Sequence, residues 1–285
     1  MRIVHIWEKK KFTFSLEVFP PKKENENLES IKNTISQLVE LNPDFISVTY
    51  GAGGSANKNT VQVAQFIKSL QIEPLAHLTC AGETSTHIDE YCAKLTSSDI
   101  SNIMALRGDE FDETNHSDFN HASDLIHYVS NKHKFSVAGA CYPEKHKEST
   151  WLSDDIHAYA EKQKAGADFL ISQLFFENNY FFKMVDAARS AGVTIPIIAG
   201  IMPVTDPHQF IRIKQMTGAT IPESLQEMIE AHHDNKDAMF EIGISWAVFQ
   251  IISLISHGVD GIHLYTMNNP KVAQEVHRRI KVFLT

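Results

Sequence analysis

A glutamate set in an otherwise apolar stretch, Phe-Ser-Leu-Glu-Val-Phe-Pro-Pro-Lys at residues 14–22, carries the strongest chemical signal in this chain. Burial penalises an ionised carboxylate and raises its pKa, which would suit Glu17 to general-acid work; a structural ion pair inside a core is the competing reading. A second signal is Arg107-Gly108-Asp109, two charges around a glycine at the end of an apolar run. Asp109 there could stabilise positive charge developing on a substrate or tune an electron-poor ring, while an Arg107–Asp109 salt bridge closing the loop is the alternative. The glycine-rich turn at residues 49–55 could turn backbone amides toward a phosphate, although it lacks the spacing of a P-loop or dinucleotide fingerprint. His77, Tyr142, His146 and Lys162 are individually ambiguous, but their shared placement at or after strand ends suits a cofactor with aromatic rings and phosphates. A zinc site from His77, Cys80 and Cys141 is disfavoured, because neither Cys-x-x-Cys nor His-Glu-x-x-His is present.

These residues need a scaffold that brings distant segments to one face. Apolar runs at 13–19, 44–50, 73–80, 102–107, 136–142, 169–176, 196–204 and 261–268 recur about every 30 residues, the length of a strand, a helix and two loops. Between them, Leu28, Ile31, Ile35, Leu38 and Leu41 repeat at helical spacing, as do Val61, Ala64, Ile67 and Leu70. Further helices are predicted at 154–165, 179–191, 206–217, 236–257 and 270–283, several closed by glycine. Strands alternating with helices require crossovers, so the expected fold is α/β, an eight-stranded parallel (β/α)8 TIM barrel with its site at the C-terminal strand ends. Glu17, Thr49, His77, Arg107, Gly108, Asp109, Tyr142, Gln173 and Tyr265 should then share one mouth. Two stretches break the rhythm: the acidic segment 109–121, a candidate lid or ligand-shaping loop with a plain solvated loop as the alternative, and 220–234, an inserted short helix that is either architectural or a wall of the mouth.

Length and composition agree with one domain over residues 1–285, at 43% hydrophobic residues. A net charge of −9 argues against a nucleic-acid surface. The opening Met-Arg-Ile-Val-His-Ile-Trp-Glu lacks the apolar core of a signal peptide, and the apolar stretch 242–255 is interrupted by Ser245, Gln250 and Ser253, so a cytoplasmic location without a membrane span is expected. Three cysteines, Cys80, Cys92 and Cys141, are expected to be reduced; Cys80 and Cys141 are expected near the mouth and Cys92 on a helix.

Taken in order, Phe-Ser-Leu-Glu-Val-Phe-Pro-Pro-Lys, Ser-Val-Thr-Tyr-Gly-Ala, Ala-His-Leu-Thr-Cys, Ala-Leu-Arg-Gly-Asp, Ala-Cys-Tyr-Pro-Glu-Lys-His, Lys-Ala-Gly-Ala-Asp, Ser-Gln-Leu-Phe-Phe, Gly-Ile-Met-Pro-Val and His-Leu-Tyr-Thr-Met-Asn resemble the methylenetetrahydrofolate reductase family. The resemblance runs from about residue 12 to residue 283 and implies an FAD-containing barrel that reduces 5,10-methylenetetrahydrofolate to 5-methyltetrahydrofolate in one-carbon metabolism. By that resemblance Glu17 is the acid that opens the five-membered ring to an iminium, and Asp109 lies beside flavin and pterin. Thr49, Tyr50, Ala52, His77, Arg107, Gly108, Asp109, Ala122, Tyr142, His146, Asp155 and Lys162 match FAD-holding positions, and Gln173 and Gln209 match substrate positions. The implied kinetics are ping-pong, with NADH (or NADPH) as electron donor, a protein electron carrier as the other donor, and a homo-oligomeric assembly.

Three positions depart from the family pattern: His121 where an aromatic flavin neighbour stands, Ile213 where some members have a stacking Phe, and Asn269 where some have Arg near the folate tail. The rival readings are a pterin-binding methyltransferase barrel without FAD and a non-catalytic folate- or flavin-binding subunit.

Overall fold

Strand-forming residues and helix-forming segments alternate throughout, and in the computed structural model, which describes residues 1–21, 28–50, 57–108 and 117–284, they close into one parallel barrel. The strands are β1 (Thr13–Val18), β2 (Phe45–Val48), β3 (Glu73–Thr79), β4 (Asn102–Leu106), β5 (Ser136–Cys141), β6 (Phe169–Ser172), β7 (Ile197–Ile201) and β8 (Gly261–Tyr265). Each hydrogen-bonds to its neighbours in chain order, and β8 returns to β1 with Glu17 opposite Tyr265. The helices α1 (Glu29–Val39), α2 (Asn57–Ser69), α3 (Ser85–Ser97), α4 (Ala122–His133), α5 (Leu152–Ala165), α6 (Asn178–Ser190), α7 (Pro207–Thr217), α8 (Glu223–His232), α9 (Lys236–Ser256) and α10 (Pro270–Ile280) form the outer layer. Every predicted strand is present, and each apolar run outlasts its strand by one to several residues, because apolar side chains continue into loops that cover the barrel end after the ladder stops.

Alternation along each strand sorts the side chains into two cores. Outward positions such as Leu16, Ile46, Leu78, Ile103 and Leu264 pack under the helices, against Ile35, Leu38, Ile67, Leu95, Val129 and Ile251. Inward positions fill the lower barrel with Phe45, Leu75, Met104, Ala138, Phe169, Ile171 and Ile198, sealed from below by Ile3 and Ile6. Trp7 closes this floor, its ring 5.2 Å from Phe169. Aspartates just before three strands finish the bottom of the ladder: Asp44 accepts from Phe14 N at 2.8 Å, Asp168 from Val137 N at 2.9 Å and Asp260 from Ile197 N at 2.8 Å.

The extra helix α8 packs on α9, so the insertion is architectural, while the connection before it contributes Ala219 to the mouth. At 21 residues, α9 is long and apolar enough to cross a membrane, longer than the interrupted stretch expected from sequence. Met239, Gly243, Ile244, Ala247, Gln250, Ile251 and Leu254 bury one face of it within the molecule.

Two cysteine expectations need correction. Cys80 and Cys141 follow Thr79 and precede Tyr142, which line the mouth, so each is one step out of phase and enters the strand–helix core instead. Their thiols, like that of Cys92, are buried, and burial pushes all three up to about 12.

Candidate active site

Above the apolar floor the inward positions change character. Two residues beyond Phe45 comes Ser47, two beyond Leu75 comes His77, and two beyond Ser15 comes Glu17. Strand register brings them together: Glu17 is paired with Ser47 on β2, and Ser15 with His263 on β8. Ser47 Oγ donates to Glu17 Oε2 at 3.1 Å, and His263 Nε2 and His77 Nε2 lie 3.6 and 3.4 Å from the same oxygen. Ser15 Oγ and His263 Nδ1 are 2.8 Å apart, and the His263 ring stacks on Phe45, which marks the boundary with the apolar floor.

The expected rise in the Glu17 pKa is not what this surrounding produces. Burial is the largest single influence and does push the carboxyl up, but the His263 hydrogen bond, the charges of His77 and His263 and the Ser47 hydroxyl together bring it below the ordinary range. Sequence spacing could not register the two imidazoles, because they arrive from β3 and β8. Burial acts oppositely on His77, lowering its pKa and favouring the neutral ring. Among the described residues, the buried His77 Nε2 has no hydrogen-bond partner.

This cluster is the floor of a cavity of about 770 Å³ at the C-terminal end of the barrel. Glu17, Thr49, Tyr50, His77, Arg107, Gly108, Tyr142, His146, Gln173 and Tyr265 all line it, as expected. Lys145 and Lys147 join Arg107 to make one side of the rim cationic despite Glu144 beside them, while burial lowers the pKa of His146 and favours its neutral ring. Gly108 has φ +95°, and a Cβ there would sit 3.1 Å from Thr79 Cβ, so glycine lets the backbone turn tightly at the edge. Tyr265 crosses the barrel to donate to Ser172 O at 2.7 Å, which requires Gly200: a Cβ on Gly200 would lie 2.2 Å from Ser172 O and 2.7 Å from the tyrosine ring.

Arg107 pairs with Glu148 from the β5–α5 connection, and this hydrogen bond raises its pKa. Asp109, the partner considered from sequence, and Ala52 lie outside the described residues, as does most of the glycine-rich turn. Four expected ligand residues do not line the cavity. Asp155 is buried and holds the β5–α5 connection by accepting from His146 N at 2.8 Å and Ser149 Oγ at 3.0 Å. Lys162 is buried below that connection, donating to Ala140 O at 2.6 Å between Tyr142 and Tyr159, and burial lowers its pKa. Ala122 opens α4, and Gln209 is half-buried on the first turn of α7.

The departing positions also have structural places. His121 N bonds Asp124 Oδ2 at 2.9 Å at the start of α4, and His121 O receives the Cys80 thiol. Ile213 is packed beneath α7 with Leu174, Phe176 and Phe210. Asn269 caps α10, its Oδ1 accepting from Val272 N at 3.3 Å.

Glu83 and Glu144 were missed by sequence reasoning although both line the cavity. Glu83 accepts from Tyr50 OH at 3.4 Å and pairs with His87 at 3.1 Å. Glu144 had a visible signal, its place in Tyr-Pro-Glu-Lys-His at the end of a strand.

Comparison with known proteins places this architecture among relatives. The family model described as methylenetetrahydrofolate reductase matches residues 2–281. The 5,10-methylenetetrahydrofolate reductase of Buchnera aphidicola is 34% identical, the match covering 92% of this chain and 89% of that protein. Methylenetetrahydrofolate reductase (NADH) 1 of Arabidopsis thaliana is 32% identical over 95% of this chain and 49% of its own length. The chain thus spans about half the length of the eukaryotic curated relatives it matches and nearly nine-tenths of bacterial ones. Among solved structures, an uncharacterized Clostridium thermocellum protein that binds two copies of 5-methyl-5,6,7,8-tetrahydrofolic acid aligns with TM-score 0.68 at 14% identity, covering 98% of both chains. At that identity the likeness shows the fold alone.

Proposed function

Because the chain belongs to the methylenetetrahydrofolate reductase family, we propose that its single barrel reduces 5,10-methylenetetrahydrofolate to 5-methyltetrahydrofolate with FAD as cofactor and NADH as electron donor. The observation that carries this reading is a buried carboxylate, Glu17, among two imidazoles at the base of a mouth with a cationic rim. That mouth fits a flavin dinucleotide by its donor set: Arg107, Lys145, His146 and Lys147 for phosphate oxygens, and Tyr50 and Tyr142 for flat rings. His77 Nε2, facing Glu17 Oε2 at 3.4 Å and without a hydrogen bond among the described residues, supplies a further polar contact in the interior. When bound, the flavin supplies a two-electron carrier that accepts hydride from the nicotinamide and gives it to the folate in alternate half-reactions.

The chain's own residues then govern protons and position. Glu17 Oε2 is the atom through which a proton is held and released, and Ser47, His77 and His263 surround it so that neither charge state is left without a neighbour. The lowered carboxyl pKa reflects the His263 hydrogen bond, the neighbouring imidazole charges and the Ser47 hydroxyl, which together outweigh burial. Gln173 lines the substrate side, its Oε1 oriented by Leu174 N at 2.9 Å. Asp155 supports the β5–α5 connection that carries His146, and Lys162 braces the end of β5 beneath it. NADH is favoured by the name of the Arabidopsis relative. The resemblance supports a homo-oligomer, and the buried free thiols suit a cytoplasmic setting.

An anaerobic absorbance titration tests the reading. Purified protein reconstituted with FAD is expected to show flavin bands that bleach with NADH and return with methylenetetrahydrofolate. Bleaching only by NADPH or a protein carrier changes the donor, and failure to bind FAD removes the reductase reading in favour of a pterin-binding methyltransferase.

A further inference from the structure

Two connections meet across the mouth. The chain after β5 carries Glu144, and the chain between α7 and α8 carries Thr220; Glu144 Oε1 and Oε2 lie 3.1 and 3.0 Å from Thr220 N, a contact between residues 76 positions apart. The α7 side has its own local order: Gly218 ends the helix in the left-handed region at φ +68°, its N–H bonding Lys214 O at 3.0 Å, and Ala219 N bonds Thr217 Oγ1 at 3.2 Å. Thr220 N is the next donor along, and the group that receives it comes from the loop after β5, two strands away around the barrel. Met216, Thr217 and Ala219 line the cavity facing Leu174 and Gln173, so the last turn of α7 forms the wall beside the expected substrate position.

We propose that Glu144 is a positioning residue for the folate-side wall, acting through the Thr220 backbone and touching none of the reacting atoms. Both Glu144 oxygens face one N–H, so a single side chain fixes the backbone of a connection whose other anchor is the apolar packing of Ala219 with Leu174 and Phe176. Through β5–α5 the same residue joins that wall to His146, held by Asp155, and to Arg107, held by Glu148. The contact therefore links the cationic side of the mouth to the side expected to receive folate. Losing it would shift the α7 end relative to Gln173 while leaving the Glu17 cluster untouched, an effect on substrate placement more than on chemistry. This inference rests on the folate-reductase reading above.

The test compares wild type, E144A and E144Q as FAD-loaded full-length chains, following NADH bleaching of the flavin separately from its reoxidation by methylenetetrahydrofolate. E144A is expected to raise the folate KM about 5- to 10-fold with bleaching by NADH and flavin content within about twofold of wild type. E144Q keeps an acceptor oxygen and should restore most of the loss. T220P, which removes the N–H donor and leaves Glu144 intact, should reproduce the E144A defect, and the double variant should be no worse than either single one. An E144Q defect equal to that of E144A would mean that charge and not the hydrogen bond matters, and would overturn the proposal, as would a wild-type folate KM in E144A. If E144A fails to fold with flavin, E144Q and T220P decide by the same criteria. A wild-type chain that binds flavin but reduces no folate overturns the functional reading and this inference with it, whereas an active wild type with indifferent variants overturns the inference alone.

Discussion

The lower and upper halves of the barrel are built from the same strands and the same alternation, yet one is dry and the other is polar. Phe45, Leu75, Phe169 and Ile198 fill the lower half against Ile3 and Ile6. One inward step higher, β2 and β3 present Ser47 and His77, beside Glu17 and His263. The difference teaches that stability and chemistry occupy adjacent layers of one scaffold, separated by a two-residue step along each strand. The Phe45–His263 stack is where the layers touch.

Substituting Glu17 should break the upper layer alone. Glu17→Gln keeps an acceptor for Ser47 and is expected to cut folate reduction about 10²–10⁴-fold, the range for losing a general acid, while flavin content and NADH bleaching persist. Stopped-flow reoxidation measures this, and near-normal folate turnover would remove Glu17 as the acid.

The converse change empties the lower layer. Phe169→Ala should cost about 3–5 kcal/mol of unfolding free energy in a denaturant melt, because it removes a fully buried ring that contacts Trp7 and Phe45. The folded fraction should retain its half-reaction rates. Slowed folate reoxidation in that fraction would show that the two layers are coupled.

The smallest effect sharpens the boundary itself. Burial lowers the His77 pKa from its ordinary 6.5, so as pH falls below about 6.5 the unfolded chain takes up this proton before the native one does. The stability associated with neutral His77 is complete above that pH and is lost as pH falls toward the native pKa. His77→Gln should therefore flatten the fall in thermal midpoint on acidification, with His146 and His277, also lowered by burial, leaving a residual slope. An unchanged slope would mean that His77 takes up its proton equally in both states.

Much of this architecture was legible because local rules and global fold agree. Apolar runs spaced by one strand–helix unit identify the barrel, and polar residues at their ends identify the mouth. The ends of runs such as 169–176 and 196–204 misled about strand length, since β6 stops at Ser172 and β7 at Ile201 while burial continues through Phe176 and Val204. Site membership was less legible where a residue acts from behind the wall. Asp155 and Lys162 belong to the right region, but Asp155 braces the β5–α5 connection and Lys162 the end of β5.

The sequence by itself determined the strand order, the parity that turns Glu17 inward and the family to which the chain belongs, because these follow from spacing, alternation and ordered motifs. Tertiary structure alone decided which groups surround Glu17, which carboxylate meets Arg107, and which donor Glu144 receives. Those contacts join residues 30 to 246 positions apart: Ser47 to Glu17 at separation 30, Arg107 to Glu148 at 41, Glu144 to Thr220 at 76, and His263 to Glu17 at 246. The physical reason is that barrel closure fixes strand register and loop position in three dimensions, and electrostatics depends on the resulting distances, which no local pattern encodes.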